Sequence, residues 1–200
     1  VNVIPIHSES LEKESVDFKQ LFKDIDGILV APGFGERGIE GKLKAIQYVR
    51  ENKIPFFGIC LGMQCAVVEF ANNVLNIKDA ASTEVNPKTM HPIIDLMPEQ
   101  KKITQKGGTM RLGAYSCEIP KGTKAFEIYQ NTKISERHRH RYEFNNEYLE
   151  RLEKGGLKIS GKNLDTNLVE IVELEQHPWF VGVQFHPELK STVENPHPLF

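Results

Sequence analysis

Gly58-Ile59-Cys60-Leu61-Gly62 sets a cysteine between two glycines, at the joint between an apolar run and a helix-compatible one. A Gly-x-Cys-x-Gly of this kind has the form of a nucleophile elbow. The sharp turn crowds the backbone, so the flanking positions must be glycine, and the thiol is lifted clear of the sheet beside a helix N-terminus. Partial positive charge at that helix end is expected to lower the thiol pKa and favour the thiolate, the reactive species. The plainer reading of the same residues is a buried cysteine in a glycine-bounded turn. His186-Pro187-Glu188 supplies a second constellation. The histidine can take the thiol proton and later return one to a leaving amine, while the carboxylate two residues on holds its tautomer. Singly, these residues also suit a capping histidine, a strand-ending proline and a surface carboxylate. Ala31-Pro32-Gly33-Phe34-Gly35 is a third piece, a glycine-containing turn after a strand. The Gly33 and Leu61 backbone N–H groups are its candidate oxyanion donors, against the plainer reading of an ordinary Pro-Gly turn. Together the three pieces point to acyl transfer from an amide or ester through a covalent thioester.

Elements that could position such groups follow from pattern. Residues 26–30 are short, apolar and end in Ala31-Pro32-Gly33, as a buried strand feeding a tight turn would be. A helical pattern from Gly41 to Asn52 leads into the apolar run Ile54 to Ile59, a strand buried on both faces. Leu61 to Ala71 then resumes a helix. This strand, helix, strand, helix order implies α/β architecture: a mostly parallel central sheet with flanking helices. Residues 72–135 carry four prolines and Gly107-Gly108, suggesting loops and short, partly antiparallel strands. A helix is expected from Glu147 to Lys154, capped by Asn145 or Asn146 and closed by Gly155-Gly156. Leu168 to Leu174 reads as a strand. So does Phe180 to His186, with Val181, Val183 and Phe185 on one face and Gly182, Gln184 and His186 on the other. Cysteine and histidine would then meet along one edge of the sheet, where such folds place their sites.

The 200 residues, 40% of them apolar, suffice for one domain with a sizeable core. A formal charge of −2 and a pI near 6.4 give no global reason to expect nucleic acid or a membrane surface as partner. No apolar stretch approaches the roughly 18 residues of a membrane span, and the N-terminus lacks the sections of a secretory signal. Three cysteines, Cys60, Cys65 and Cys117, fit reduced thiols in a cytoplasmic setting rather than a disulfide framework. Arg137 to Arg141 could be a nucleic-acid patch, and His138 with His140 a metal pair. Both are disfavoured by the slightly negative charge and by the lack of further ligands at recognisable spacing.

The cysteine elbow with a distant His-Pro-Glu resembles the class I, or triad-type, glutamine amidotransferases, whose fold is flavodoxin-like. Longer strings resemble the CTP synthase family in particular: Gly35 to Lys42, Gly58 to Gln64, Gly107 to Gly113, Glu136 to Glu143 and His197 to Phe200. The resemblance covers the whole chain as one amidotransferase domain. It implies that Cys60, His186 and Glu188 hydrolyse L-glutamine to glutamate and ammonia through a cysteinyl thioester. The ammonia would pass to a synthetase domain, not present in this chain, that uses ATP and magnesium to aminate UTP to CTP. By the same resemblance Gly33, Phe34, Leu61, Gly62, Met63, Gln64, Glu84, Arg141 and Tyr142 contact glutamine, with Glu84 on its amino end and Phe34 beside the substrate or gating the site. Arg37 lies in the loop associated with activation by GTP. No cofactor or metal is expected in the domain itself, and the whole enzyme is expected to be a homo-oligomer. Gln105 to Arg111 is expected at an interdomain surface.

Two departures from the family pattern stand out. Pro32 replaces the first glycine of Pro-Gly-Gly-Phe-Gly, holding φ near about −65° where the backbone was free. The family's first strand and helix are also expected to precede Val1. Other functions remain open: a different triad-type amidotransferase or γ-glutamyl hydrolase, which need not carry the Glu136 to Glu143 string, or a non-catalytic or partner-dependent domain that binds glutamine or GTP.

Overall fold

The computed structural model describes residues 1–96 and 110–200. In chain order, a 3-10 turn (Ser8–Glu12) and helix α1 (Phe18–Leu21) precede strand β1 (Ile28–Val30), helix α2 (Ile39–Glu51), strand β2 (Phe56–Ile59) and helix α3 (Leu61–Asn73). Strands β3 (Ala80–Ser82), β4 (His91–Asp95) and β5 (Arg111–Glu118), helix α4 (Lys124–Tyr129), and strands β6 (Lys133–His140) and β7 (Glu143–Phe144) follow. Helix α5 (Leu149–Lys154) and strands β8 (Leu157–Asn163), β9 (Leu168–Leu174) and β10 (Phe180–Val183) complete the order, and a closing 3-10 turn spans Pro187–Lys190.

The main sheet runs β1-β2-β10-β9-β8-β5-β6, and a small sheet runs β3-β4-β7. β1, β2 and β10 are mutually parallel, while each neighbour from β10 outward to β6 is antiparallel. By direction β1, β2, β10, β8 and β6 point one way and β9 and β5 the other. This is the α/β arrangement expected, with the antiparallel share concentrated in one half. The parallel pair β1-β2 is joined by the helical crossover α2, whereas β8-β9 closes as a hairpin and β5 returns to β6 through helix α4.

β2 is buried throughout because it lies between β1 and β10, with α2 and α3 packed nearby. Phe56 stacks on Phe180 of β10 at 4.4 Å between ring centroids. α3 is anchored to α2 by a forked ion pair: Arg50 donates from Nε (2.9 Å) and its terminal nitrogen (2.7 Å) to the fully buried Glu69. A bidentate guanidinium–carboxylate pair sets direction as well as distance. It therefore fixes the helix that begins at Leu61.

Several expectations need correction. β1 is shorter than residues 26–30 and lies at the sheet edge, so Leu29 is about half exposed rather than buried. α2 begins at Ile39, two residues early, directly after Gly38 at φ 71°, and Gly41 within its first turn packs against the Ser8 carbonyl, where an added Cβ would come within 1.9 Å. β10 stops at Val183, so His186 stands beyond the strand, not at its last position. The supposedly loop-like middle contains the eight-residue β5 and helix α4, whose start is capped by Thr123 Oγ1 accepting from the Phe126 N–H. Of the stretch expected at an interdomain surface, residues 105–109 lie outside the described residues. Arg111 is buried against Glu170 instead.

Candidate active site

The crossing of β2 into α3 makes the elbow. Cys60 adopts φ 51°, ψ −103°, a conformation costly for a side-chain-bearing residue and sustained only where its surroundings impose it. Those surroundings leave no room for side chains beside it. A Cβ on Gly58 would lie 2.7 Å from the Gly62 carbonyl carbon, and one on Gly62 only 2.2 Å from the Val30 carbonyl oxygen. Cys60 N–H donates to the Val183 carbonyl at 2.7 Å, tying the elbow to the end of β10.

His186 is delivered from the same strand three residues further on. Its backbone N–H donates to the Arg137 carbonyl of β6. Its Nδ1 lies 2.6 Å from Glu188 Oε1, which settles Nδ1 as the protonated nitrogen and leaves Nε2 as the acceptor. Among the described residues, buried Nε2 has no hydrogen-bond partner. The 3-10 turn that carries Glu188 is held from behind by Lys190, whose Nζ donates to the Ser135 carbonyl (2.6 Å) and approaches the buried Glu136 (3.4 Å). Glu136 also meets His197 Nε2 at 3.0 Å. The acid of the candidate pair is thus positioned by β6.

Cys60, His186 and Glu188 line one cavity of about 580 Å³ together with Pro32, Gly33, Phe34, Gln64, Glu84, Met110, Arg139, His140, Arg141, Tyr142 and Leu189. From the Leu61–Gln64 run the cavity wall takes Gln64. Leu61 contributes its backbone N–H beside the sulfur, whereas Met63 is fully buried and Gly62 is pressed on β1, so these two turn to the core. Gly33 abuts Leu61, since a Cβ on it would lie 3.1 Å from a Leu61 methyl. The Gly33 turn and the elbow are therefore adjacent. Within that turn positive φ falls at Gly35 (78°), whose N–H donates to Glu84 Oε1 at 3.1 Å. Gly33 itself is not in the positive-φ region. Arg37 lies outside this cavity. It pairs with Glu9 and lines an adjoining cavity that shares Phe34 with the first.

Burial overrides the expected effect of the helix end on the thiol. Cys60 is pushed up to about 12, chiefly by burial, with Glu143, Glu188 and Glu84 adding repulsion and the Leu61 N–H opposing it. A resting thiol at neutral pH needs a base, and His186 Nε2 is the unpartnered one at hand.

Behind the cavity wall lies a buried polar cluster. Alternation along β6 turns Glu136, His138 and His140 inward and Arg137 and Arg139 outward. His138 Nδ1 and His140 Nε2 are 2.8 Å apart, and His140 Nδ1 lies 3.2 Å from the Tyr142 carbonyl. Arg111 pairs with Glu170 at 2.5 Å and stands 3.7 Å from Glu143. Burial, then Arg111, drives His138 down to about 2 and His140 to about 3, while burial raises Glu143 to about 8. Neutral histidines bonded to one another hold a loop; they are not arranged as a base. Among the described residues no group of three or more His, Cys, Asp or Glu is placed to hold a metal ion, and no helix is long and apolar enough to cross a membrane.

Gln184 was not singled out as a site residue from sequence. Fully buried, it donates from Nε2 to Cys60 Sγ at 3.7 Å and accepts from Gln64 Nε2 at 3.2 Å. The signal was present, since Gln184 and His186 alternate onto one face.

An open α/β sheet with a cysteine at a strained strand-to-helix turn and a histidine–carboxylate pair beside it defines a cysteine-nucleophile enzyme of the elbow type. The model of the class I glutamine amidotransferase family matches residues 1–200, and the chain belongs to that family. It is 64% identical over its full length to a CTP synthase of Flavobacterium johnsoniae and 65% identical over 195 residues, 98% of the chain, to one of Cytophaga hutchinsonii. The chain spans 37% and 36% of those two proteins. The solved glutaminase domain of a Trypanosoma brucei CTP synthase with bound acivicin superposes with a TM-score of 0.91 at 40% identity, covering 98% of this chain and 76% of that one.

Proposed function

We propose that this chain hydrolyses L-glutamine to glutamate and ammonia, as the glutaminase portion of a longer CTP synthase. The observation that carries the reading is the placement of Cys60, His186 Nε2 and the Glu188-bound Nδ1 around one cavity beside the Gly33 turn. His186 removes the Cys60 proton, and the sulfur attacks the side-chain amide carbon of glutamine. The oxyanion is met by the Gly33 and Leu61 N–H groups. The imidazolium gives its proton to the departing amine, ammonia leaves, and water activated by His186 hydrolyses the thioester to glutamate. Glu188 keeps Nδ1 protonated throughout. Glu84 and the Arg141–Tyr142 backbone bind the amino-acid end of glutamine, and Phe34, 88% exposed at the mouth, covers it.

The names of the relatives support assigning the ammonia to amination of UTP by a synthetase domain elsewhere in the longer protein, with ATP and magnesium acting there. Arg37 and its adjoining cavity are the place where GTP would act, and a cytoplasmic homo-oligomer is the expected setting. The test is glutamate release from glutamine by this chain beside Cys60→Ser, with mass spectrometry after exposure to a glutamine-like chloroketone. Thiol-dependent turnover and Cys60 labelling are expected. Absence of both in the folded chain would sink the reading.

A further inference from the structure

We propose that Gln184 is a hydrogen-bond donor to the Cys60 thiolate, held in that role by Gln64. The inference rests on reading Cys60 as the nucleophile. An amide side chain can turn either end toward a neighbour, so what orients it must be found in its contacts. Gln64 Nε2 donates to both the Tyr142 carbonyl (3.0 Å) and Gln184 Oε1 (3.2 Å). The Tyr142 carbonyl can only accept, so Gln64 must present its NH₂ there. Gln184 is thereby obliged to offer its oxygen to Gln64 and its NH₂ to Cys60 Sγ, 3.7 Å away. Its backbone is fixed as well, the N–H donating to the Glu170 carbonyl. The chain of contacts runs from the cavity wall at Tyr142 to the sulfur, through two amides that are 4% and 0% exposed.

The sulfur needs such help. Glu188 follows β10, Glu84 follows β3 and Glu143 lies on β7, and all three repel a negative sulfur. The charged or titratable lining that also surrounds it comprises His186, His140, Arg139, Arg141 and Tyr142. A thiol is a weak acceptor, whereas a thiolate makes a charge-assisted bond. When His186 Nε2 takes the proton, the electron pair left on Sγ faces two N–H donors, the Leu61 backbone and Gln184. Neither donor changes position, so little reorganisation accompanies ionisation.

The experiment is the pH dependence of Cys60 alkylation by iodoacetamide, located by mass spectrometry, for this chain and for Gln184→Met and Gln184→Glu. Methionine keeps the length and apolar bulk but has no N–H; glutamate replaces the donor with an acceptor. The midpoint is expected to rise by about one pH unit in Gln184→Met, with alkylation at pH 7 slowed about tenfold, and to rise further in Gln184→Glu. An unmoved midpoint in folded Gln184→Met overturns the proposal, as does a lower plateau with the midpoint unchanged. If Gln184→Met does not fold, Gln64→Met, which frees Gln184 to turn its oxygen to the sulfur, must raise the midpoint, and an unmoved midpoint there overturns it equally. Alkylation requires no glutamine, so failure of this inference is distinguishable from failure of the glutaminase reading.

Discussion

His186 and the pair His138–His140 approach the same cavity from different halves of the sheet, and they are prepared for opposite tasks. His186 comes off the parallel half, has its Nδ1 bound to the partly exposed Glu188 and keeps Nε2 unpartnered among the described residues. His138 and His140 come from the antiparallel half: His138 Nδ1 and both His140 nitrogens are spent on one another and on the Tyr142 carbonyl, while His138 Nε2 is enclosed 3.6 Å from the buried Glu170. Burial beside Arg111 keeps them neutral. Residue type is identical; the difference lies in what each ring faces. An imidazole with an acid on one side and an open nitrogen on the other can cycle a proton, whereas one enclosed beside a guanidinium is a fixed dipole that shapes a wall.

The sharpest way to break this contrast is to exchange the histidines' expected phenotypes. His186→Asn should lower glutamate release by about 10²- to 10⁴-fold with little change in melting temperature. His138→Asn should do the reverse, reducing the melting temperature while leaving turnover within about tenfold. Equal losses of turnover in both variants would erase the distinction. Glu188→Gln should have the next largest effect, about 10- to 100-fold on turnover, because solvent reaching this partly exposed carboxylate also helps to orient the ring.

Two smaller effects sharpen the comparison through stability. Glu143 titrates near 8 in the fold against about 4.3 for an ordinary glutamate, so the folded chain holds more protons than the unfolded one between those values. Native stability is therefore lost across that window as pH rises. The melting temperature of Glu143→Gln minus that of the wild type should increase from pH 5 to pH 8, by about 3 °C or more; a flat difference would refute the assignment. The histidines have the opposite sign. Their folded pKa values lie below about 6.5, so stability is present above that pH and falls on acidification, by up to about 1.4 kcal/mol per pH unit for each ring. Urea midpoints for His138→Asn should consequently decline less between pH 6.5 and pH 5 than those of the wild type.

Some of this was legible in residue order. The glycines around Cys60, the apolar run of β2 and the alternation Gly182, Gln184, His186 are local consequences of sterics and strand period, and each can be read without knowing a neighbour. The helix after the elbow and the α/β class follow from the same periodicities. The antiparallel half was harder to read because β5 pairs with β6 and β8 across long stretches, and a register set by partners leaves little trace in either strand alone. Arg111 shows the consequence: its string resembles a family marker, yet its burial is explained by carboxylates distant in the chain, Glu170, 59 residues away, and Glu143.

What the sequence by itself determined is the chemistry available: one cysteine that must sit at a crowded turn, one histidine with a carboxylate two residues on, and glycines where no Cβ fits. Tertiary structure alone decided their states. It raised the Cys60 thiol by burial despite the helix end, left His186 Nε2 facing the cavity, bonded His138 to His140 behind its wall, and turned Gln184 toward the sulfur through Gln64. The physical reason is that ionisation and amide orientation depend on distance and desolvation, which are set by residues far apart in the chain, whereas backbone sterics act between neighbours.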